Sequence, residues 1–426
     1  MNWIDQATKP LCDKLSALGR EKLAKMYRNC FASTWDTTLQ RADGTVFLIT
    51  GDIPAMWLRD SSAQVFHYLP YAGEYTEVKE AVIGLIRRQA FCINLDPYAN
   101  AFNREASGRR GYRDTTSWTE DQKPWIWERK YEVDSLCYPI RLCHAFWKKT
   151  GDTSWCDERM NDAFRTVLTT WETEQRHAEC SPYFFSRSNC RPSDTLPFEG
   201  KGTPVGYTGM TWSGFRPSDD ACEYGYLVPS NFFAAKSLEQ MAEIAREILG
   251  DEALAARAER LCQQITEGLK RFAVVNHPVF GEVYAYEVDG LGNYKLMDDA
   301  KVPSLLSLPY LGCLDADDAV YKNTRRLVLS KTNPYYYEGA CVSGIGSPHT
   351  PEDYIWPISL CIQGLTATDE KEIVNLLNTL ESIDADTCLM HEGVHKDDPK
   401  QFTRAWFAWA NSIFSEFVEK AAAHLG

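Results

Sequence analysis

The 426-residue sequence lacks a long hydrophobic run. No window reaches the ~18 uninterrupted apolar residues that a membrane-spanning helix needs. The first residues include the charged Asp5 and Lys9, and they contain no apolar stretch of the length found in signal peptides. We therefore expect a soluble, cytoplasmic protein without a membrane partner.

Positive charge is also scarce. The chain has 45 Lys and Arg residues against 59 Asp and Glu residues, which gives a formal net charge of −14, and no block of Lys or Arg stands out. Such a chain has little electrostatic attraction for a phosphate backbone. We expect no nucleic-acid partner.

Linkers and paired cysteines are missing as well. No tract rich in Pro, Gly or Ser divides the chain, which favours one domain over residues 1–426. The 14 cysteines include no C-x-x-C pair and no regular spacing. In a chain of this length, that pattern predicts reduced, buried thiols rather than a disulfide framework.

Aromatic residues, in contrast, are abundant. The 13 Trp and 21 Tyr residues exceed what a core of this size needs. Aromatic rings outside a core often stack on flat ligands or on sugars. This excess directs the search for a site towards segments that combine aromatic rings with polar groups.

Amphipathic helical periodicity dominates the sequence, with apolar residues three or four apart, for example from Leu238 to Ile248 and from Leu254 to Leu269. The one clear alternating run, at 283–288, precedes Asp289-Gly290 and predicts a β-hairpin. Helix-start signals recur along the chain. They fall at Ser61, Asp134, Asp220, Ser304, Asp353 and Asp398.

This recurrence predicts an all-α fold of six helical hairpins, an (α/α)6 toroid, with short β-hairpin decorations. The residues just before the predicted starts are polar and often acidic, so the inner helices would surround one polar cleft. An alternative stays open, because capping residues precede most helices whatever the fold.

The string His391-Glu392-Gly393-Val394-His395 matches the zinc-peptidase motif H-E-x-x-H. That chemistry needs both histidines on one face of a continuous helix. Here a glycine interrupts the string, and a capping box at Asp398 predicts that a helix begins after it. A zinc metallopeptidase remains an alternative, but we favour a loop in which Glu392 acts as a general base without metal.

A general base of this kind needs a partner acid. If Asp220 caps a helix with Glu223 as its capping-box partner, Asp219 lies just outside that helix and is free to face a ligand. A helix N-terminus lowers the pKa of a carboxyl, so desolvation by Trp212 and the negative charge of Glu392 or Asp220 would have to outweigh it. Both aspartates could instead serve only as caps.

Two further segments suit a sugar, because an indole stacks on a hexose while guanidinium and carboxylate groups bind its hydroxyls. The first contains Trp57, Arg59 and Asp60, although a structural Arg–Asp pair is an alternative explanation. The second segment runs from Trp125 to Asp134. Single candidates elsewhere are Trp212, Arg216 and His349.

Four stretches now make the sequence resemble glycoside hydrolase family 125, the bacterial and fungal exo-α-1,6-mannosidases. They are 51–61 (GDIPAMWLRDS), 127–136 (WERKYEVDSL), 209–220 (GMTWSGFRPSDD) continued by 222–224 (CEY), and His391-Glu392 with 397–399 (DDP), Arg404 and Trp406. The resemblance implies an (α/α)6 toroid and an inverting, single-displacement enzyme that needs no metal or other cofactor. It places the general acid on Asp219 and the general base on Glu392.

The expected activity is the release of a terminal, non-reducing α-1,6-linked mannose from manno-oligosaccharides. Trp57, Arg59, Asp60, Asp134, Trp212, Arg216 and His349 are the expected sugar contacts. Inversion requires roughly 6.5–9.5 Å between the two carboxyls. A non-catalytic sugar-binding protein remains a second alternative, and the sequence does not indicate an oligomeric state.

Overall fold

The computed structural model describes residues 2–42 and 44–425. Helices are its main elements. They are α1 Trp3–Ala17, α2 Glu21–Ser33, α3 Leu58–Phe66, α4 Thr76–Leu95, α5 Val133–Thr150, α6 Glu158–Glu174, α7 His177–Cys180, α8 Pro197–Gly200, α9 Val228–Ile244, α10 Glu252–Phe272, α11 Ala319–Val328, α12 Pro357–Leu365, α13 Glu370–Ser382 and α14 Ala408–Ala421.

The strands are short and all their pairings are antiparallel. They are β1 Leu39–Ala42, β2 Thr45–Leu48, β3 Met56–Trp57, β4 Ala101–Phe102, β5 Asp114–Thr116, β6 Ile126–Glu128, β7 Phe185–Arg187, β8 Tyr226–Leu227, β9 Val274–His277, β10 Gly281–Tyr284, β11 Glu287–Val288, β12 Tyr294–Lys295, β13 Tyr336–Glu338, β14 Ser343–Ile345, β15 Tyr354–Ile355, β16 Gly393–His395 and β17 Phe402–Thr403.

Five helices, α3, α5, α9, α12 and α14, form the interior. Most of their residues are buried on every face, as expected for helices that have other elements on all sides. Helix α3 packs on α5 and α14, α5 packs on α9, and α12 packs on α14. We call these five the inner helices. Between α9 and α12, residues 306–312 form consecutive turns.

The other long helices lie outside this group. Helix α10 packs on α9, α4 packs on α5 and α6, and α13 packs on α12 and α2, which also contacts α14. One contiguous apolar core extends from Trp3 to Ala421. The arrangement agrees with paired inner and outer helices, while closure into a six-hairpin toroid stays a prediction.

Three-stranded sheets gather where the inner helices begin. Sheet β3-β4-β6 leads into α3 and α5, sheet β12-β11-β8 leads into α9, and sheet β15-β16-β17 leads into α12 and α14. The predicted hairpin after Val288 is confirmed, because β11 pairs with β12 across Asp289-Gly290. These sheets place loop residues together at one end of the inner helices.

The predicted helix starts are mostly wrong. Asp134 matches α5 to within one residue, but Ser61 lies inside α3, where its hydroxyl donates to the Leu58 carbonyl. Asp398 binds the Lys400 amide and the Gln401 side chain in a local turn. Residues 402–403 then form a strand, so the last helix begins at Ala408 rather than near Pro399.

Aspartate caps occur on outer helices instead. Asp157, Asp251, Asp318 and Asp369 cap α6, α10, α11 and α13 with their side chains. The residue before each inner helix is extended and makes no such bond. Of the described helices, none is long and apolar enough to cross a bilayer.

Helix α12 approaches α14 closely at Gly364, and this contact provides a test of the packing. A Cβ at this position would overlap the buried ring of Phe417. We expect Gly364→Ala to lower the free energy of unfolding by about 1–3 kcal/mol, the usual cost of overpacking, as measured by the urea midpoint. Gly73→Ala is the control, because nothing lies within 4 Å of that Cβ. Equal midpoints would contradict this packing.

Candidate active site

Asp219 lies at the tip of a tight hairpin. Phe215 and Ala221 close the hairpin as a β-bridge. Inside it, the Asp219 amide donates to the Arg216 carbonyl (2.9 Å) and the Arg216 amide donates to the Asp220 carbonyl (2.8 Å). Asp219 has a φ of 74°, a left-handed conformation that aspartate tolerates better than most residues. The hairpin, and not a helix cap, therefore presents this carboxyl, and α9 begins only at Val228.

Positive charges surround the Asp219 carboxyl. Arg59 Nη2 lies 3.9 Å from Asp219 Oδ1, and Asn100 Nδ2 donates to the same oxygen at 3.5 Å. Burial disfavours the ionised form, but Lys301, Lys130, Arg59 and His349 outweigh burial and lower the pKa of Asp219 below its ordinary value. In the ligand-free protein this carboxyl is therefore ionised.

Arg59 is the centre of a buried carboxylate cluster. Its Nη1 lies 2.5 Å from Glu132 Oε2 and 3.0 Å from Asp134 Oδ2, and its Nε lies 3.3 Å from Asp60 Oδ2. All four side chains are at most 2% exposed. Burial, together with the negative charges of Asp219 and Asp134, raises the pKa of Glu132 although Arg59 opposes the shift. Burial raises the pKa of Asp134 too, so the cluster as a whole holds a proton more readily than exposed carboxylates do.

Glu392 directly precedes β16 and lies far from Asp219 along the chain. Its backbone amide donates to the Thr403 carbonyl (3.3 Å), and its Oε1 accepts from Arg404 Nη1 at 3.2 Å. Arg404 also binds Asp52, with Nη2 2.5 Å from Oδ1. Gly51 pairs with Phe407 as a β-bridge. The position of Glu392 thus depends on segments near residue 50 and near residue 405.

His349 lies close to the hairpin that carries Asp219. Its Nδ1 lies 3.6 Å from Asp220 Oδ2. Burial alone would lower the pKa of His349, but the negative charges of Asp220, Asp219 and Glu392 raise it. Both candidate carboxyls thus contribute to the electrostatic environment of His349, while the distance between them stays a prediction.

Trp57 lies beside this site, in β3. It is 6% exposed and packs with Ala55, Ala101 and Trp127. Several buried polar atoms of the site have no hydrogen-bond partner among the described residues, among them Trp57 Nε1, Arg59 Nη2 and Asp134 Oδ1. Buried polar groups are nearly always paired, so these atoms are candidates for hydrogen bonds to a polar ligand.

Trp212 and Arg216 have different surroundings. Trp212 stacks on His177, with ring centroids 3.5 Å apart, and is 1% exposed. Arg216 Nε lies 2.5 Å from Glu287 Oε1. These contacts fit a role in supporting the hairpin from beneath better than direct contact with a ligand.

The comparisons with known proteins agree with this chemistry. The sequence profile of the metal-independent alpha-mannosidases, glycoside hydrolase family 125, matches residues 20–419. The chain belongs to this family.

Individual relatives support the assignment. A metal-independent alpha mannosidase of Streptococcus pneumoniae, solved as a non-productive substrate complex with alpha-1,6-mannobiose, is 45% identical with a TM-score of 0.93, over 97% of this chain and 98% of that one. The Meiotically up-regulated gene 157 protein of Schizosaccharomyces pombe is 38% identical, over 95% of this chain and 83% of its own. A glucoamylase from Saccharomycopsis fibuligera, at 11% identity and a TM-score of 0.60 over 96% of both chains, shows a shared fold alone.

The H-E-x-x-H string does not have metallopeptidase geometry in this alpha-mannosidase. Residues Gly393–His395 form β16, so the two histidines do not share a helix face. His391 stacks on Phe402, with centroids 3.8 Å apart. His395 packs edge-on against Tyr354. The donor arrangement that the zinc motif requires is therefore replaced by a β-hairpin.

Several residues of the site were not singled out from the sequence. Glu132, Lys130 and Arg404 lie within the family stretches, where a charged residue next to a predicted site residue was the available signal. Asn100 and Lys301 had no such signal, since they reach the site only through the fold. Lys301 Nζ lies 3.9 Å from Asp60 Oδ1.

Arg59 provides a direct test of the cluster. In Arg59→Lys, one ammonium cannot span Glu132, Asp134 and Asp60 as the guanidinium fork does, so we expect kcat/KM on an α-mannoside to fall on the order of 10²-fold. Arg59→Met should also lower the free energy of unfolding by about 3–5 kcal/mol, because buried carboxylates lose their counter-charge. Initial rates and urea denaturation measure both effects.

Arg246→Lys is the matched control, since Arg246 makes its ion pairs with Glu252 and Glu259 at the surface. Surface pairs contribute little, so activity and stability should stay near those of the wild type. Full activity in Arg59→Lys would show that the fork is not needed.

Proposed function

We propose that this protein is an inverting, exo-acting glycoside hydrolase that releases terminal, non-reducing α-1,6-linked mannose from manno-oligosaccharides. Asp219 is its general acid and Glu392 its general base. The observation that carries the proposal is the buried carboxylate cluster around Arg59, which reaches to within 3.9 Å of Asp219, in a chain of the metal-independent alpha-mannosidase family.

Binding of the terminal mannose uses the atoms without protein partners. The carboxylates of Asp60 and Asp134 accept from sugar hydroxyls, the Arg59 guanidinium donates to them, and the Trp57 indole donates or stacks. His349, whose Nδ1 lies 3.6 Å from Asp220 Oδ2, completes the contacts. Exo action follows if the aromatic packing of Trp57 and Trp127 closes the cleft beyond the terminal sugar.

The reaction is one displacement. Asp219 gives its proton to the glycosidic oxygen while the bond from that oxygen to the anomeric carbon breaks. Glu392 takes a proton from the water that attacks the same carbon from the opposite face. The α-linked mannose leaves as β-mannose, and the shortened oligosaccharide leaves as the alcohol.

The support for the substrate is the relative's complex with alpha-1,6-mannobiose, together with the shared family. We propose the same linkage here, in a single catalytic (α/α)6 domain over residues 1–426. Cytoplasmic location stays a prediction.

An NMR time course on α-1,6-mannobiose tests the linkage, the sugar and the stereochemistry together. We expect β-mannose as the first-formed product, because inversion places the attacking water opposite the leaving oxygen. Asp219→Asn and Glu392→Gln should each lower kcat by about 10²–10⁴-fold, whereas Asp220→Asn should lower it less. The two carboxyls should lie roughly 6.5–9.5 Å apart in a sugar-bound structure.

Other results would overturn specific parts of the proposal. α-Mannose as the first product would show a retaining mechanism. The absence of turnover would favour a sugar-binding protein, and activity that is lost with a chelator and restored by zinc would favour the metal alternative.

The lowered pKa of Asp219 in the free protein conflicts with a role as an acid at neutral pH. A bound sugar that displaces water from this carboxyl raises its pKa by desolvation. We therefore expect the alkaline limb of kcat, which reports the complex, to lie at higher pH than that of kcat/KM, which reports the free enzyme. Coincident limbs in the two pH profiles would contradict this account.

A further inference from the structure

Lys130 is a buried lysine directly beneath the acid hairpin. Its side chain is 2% exposed, and its ammonium donates to the Asp219 backbone carbonyl at 2.7 Å and to Asp194 Oδ1 at 2.5 Å. Lysine is almost never fully buried unless it is paired. Burial lowers the pKa of Lys130, but Glu128, Asp219 and Asp194 outweigh burial, so the ammonium stays charged.

The counter-ion of Lys130 is itself held firmly. Asp194 accepts from Arg187 Nη1 through both carboxylate oxygens, at 3.0 and 2.9 Å. Arg187 also binds both oxygens of Asp114, at 2.7 and 2.9 Å, and Glu128 Oε2 at 2.8 Å. Strands β5 and β7, which carry Asp114 and Arg187, pair with each other. Lys130 is thus fixed to a buried ionic network and not to a mobile loop.

The acid hairpin is attached to this part of the chain at two points. At its start, the amides of Gly214 and Phe215 donate to the Tyr131 carbonyl at 3.1 and 3.0 Å. At its tip, the Lys130 ammonium binds the carbonyl of Asp219. The left-handed conformation of Asp219 costs free energy unless its surroundings impose it. The bond from Lys130 therefore adds to the hydrogen bonds within the hairpin in fixing the direction of the Asp219 backbone.

We propose that Lys130 is a positioning residue for the general acid: by holding the Asp219 carbonyl, it directs the Asp219 carboxyl towards the glycosidic oxygen. This inference rests on the proposed function of Asp219. The Lys130 ammonium contacts the backbone carbonyl of Asp219. It therefore affects the proton transfer to the leaving group through Asp219 alone.

Leaving-group dependence separates this role from a general structural one. The leaving group of α-1,6-mannobiose is a sugar alkoxide, which needs the proton from Asp219. The leaving group of α-mannosyl fluoride is fluoride, which needs little protonation. A Lys130→Met variant should lose kcat on the order of 10²-fold with mannobiose, the usual effect of a misplaced group. Its kcat with the fluoride should change by less than about 5-fold, because that reaction uses the same sugar site without the proton transfer.

Three proteins measured in parallel make the outcome decisive. Asp219→Asn should show the same selective loss, and Lys22→Met, which removes a lysine paired with Asp384 far along the chain, should behave as wild type with both substrates. If Lys130→Met does not fold, Asp194→Asn tests the same network by removing the counter-ion while keeping the lysine, and a smaller selective loss is expected.

Equal losses on both substrates in the Lys130 or Asp194 variant, with a selective loss in Asp219→Asn, would overturn the positioning role and leave the acid assignment intact. Equal losses in Asp219→Asn itself would overturn the proposed function.

Discussion

The buried guanidinium of Arg59 is the interaction on which the rest of the site depends. It faces Asp60, Glu132 and Asp134 within hydrogen-bonding or ion-pairing distance, and Asp219 lies just beyond them. Carboxylates removed from water repel one another strongly unless a cation or a proton compensates. Arg59 supplies the cation. It thereby lets the acidic residues at the N-terminal ends of α3 and α5 lie close together in the buried site.

Pairing of each cation with a carboxylate also lets many charged groups lie near the site without making it a general binding site for anions or cations. Lys130, Lys301 and Arg404 each approach the cleft from a different segment, and each is matched with a carboxylate: Asp194, Asp60 and Asp52. Near the Arg59 cluster, Trp57 Nε1, Arg59 Nη2 and Asp134 Oδ1 have no hydrogen-bond partner among the described residues. Recognition by hydrogen bonds, rather than by net charge, suits a neutral sugar.

The sequence allowed the helical class and the candidate acid and base to be predicted, because both depend on local signals. Apolar periodicity identified α9 and α10, and charged residues next to tryptophans identified the segments at 51–61 and 209–220. Capping signals failed for a physical reason. The outer helices begin in solvent and need an aspartate cap, whereas the inner helices begin at buried sheet strands, and their first turns lie against the site. Asn100 and Lys301 could not be predicted, since only the folded chain brings them to Asp219 and Asp60.

The contacts that hold Glu392 determine how late during biosynthesis its position can form. Glu392 is held by Arg404, which in turn binds Asp52, while Gly51 pairs with Phe407 and the Ala408 amide donates to the Thr50 carbonyl. Glu392 therefore sits where a segment near residue 50 meets a segment near residue 405. A ribosome-bound chain that still lacks the residues near 405 can already contain the hairpin of Asp219, but it lacks the contacts that hold Glu392.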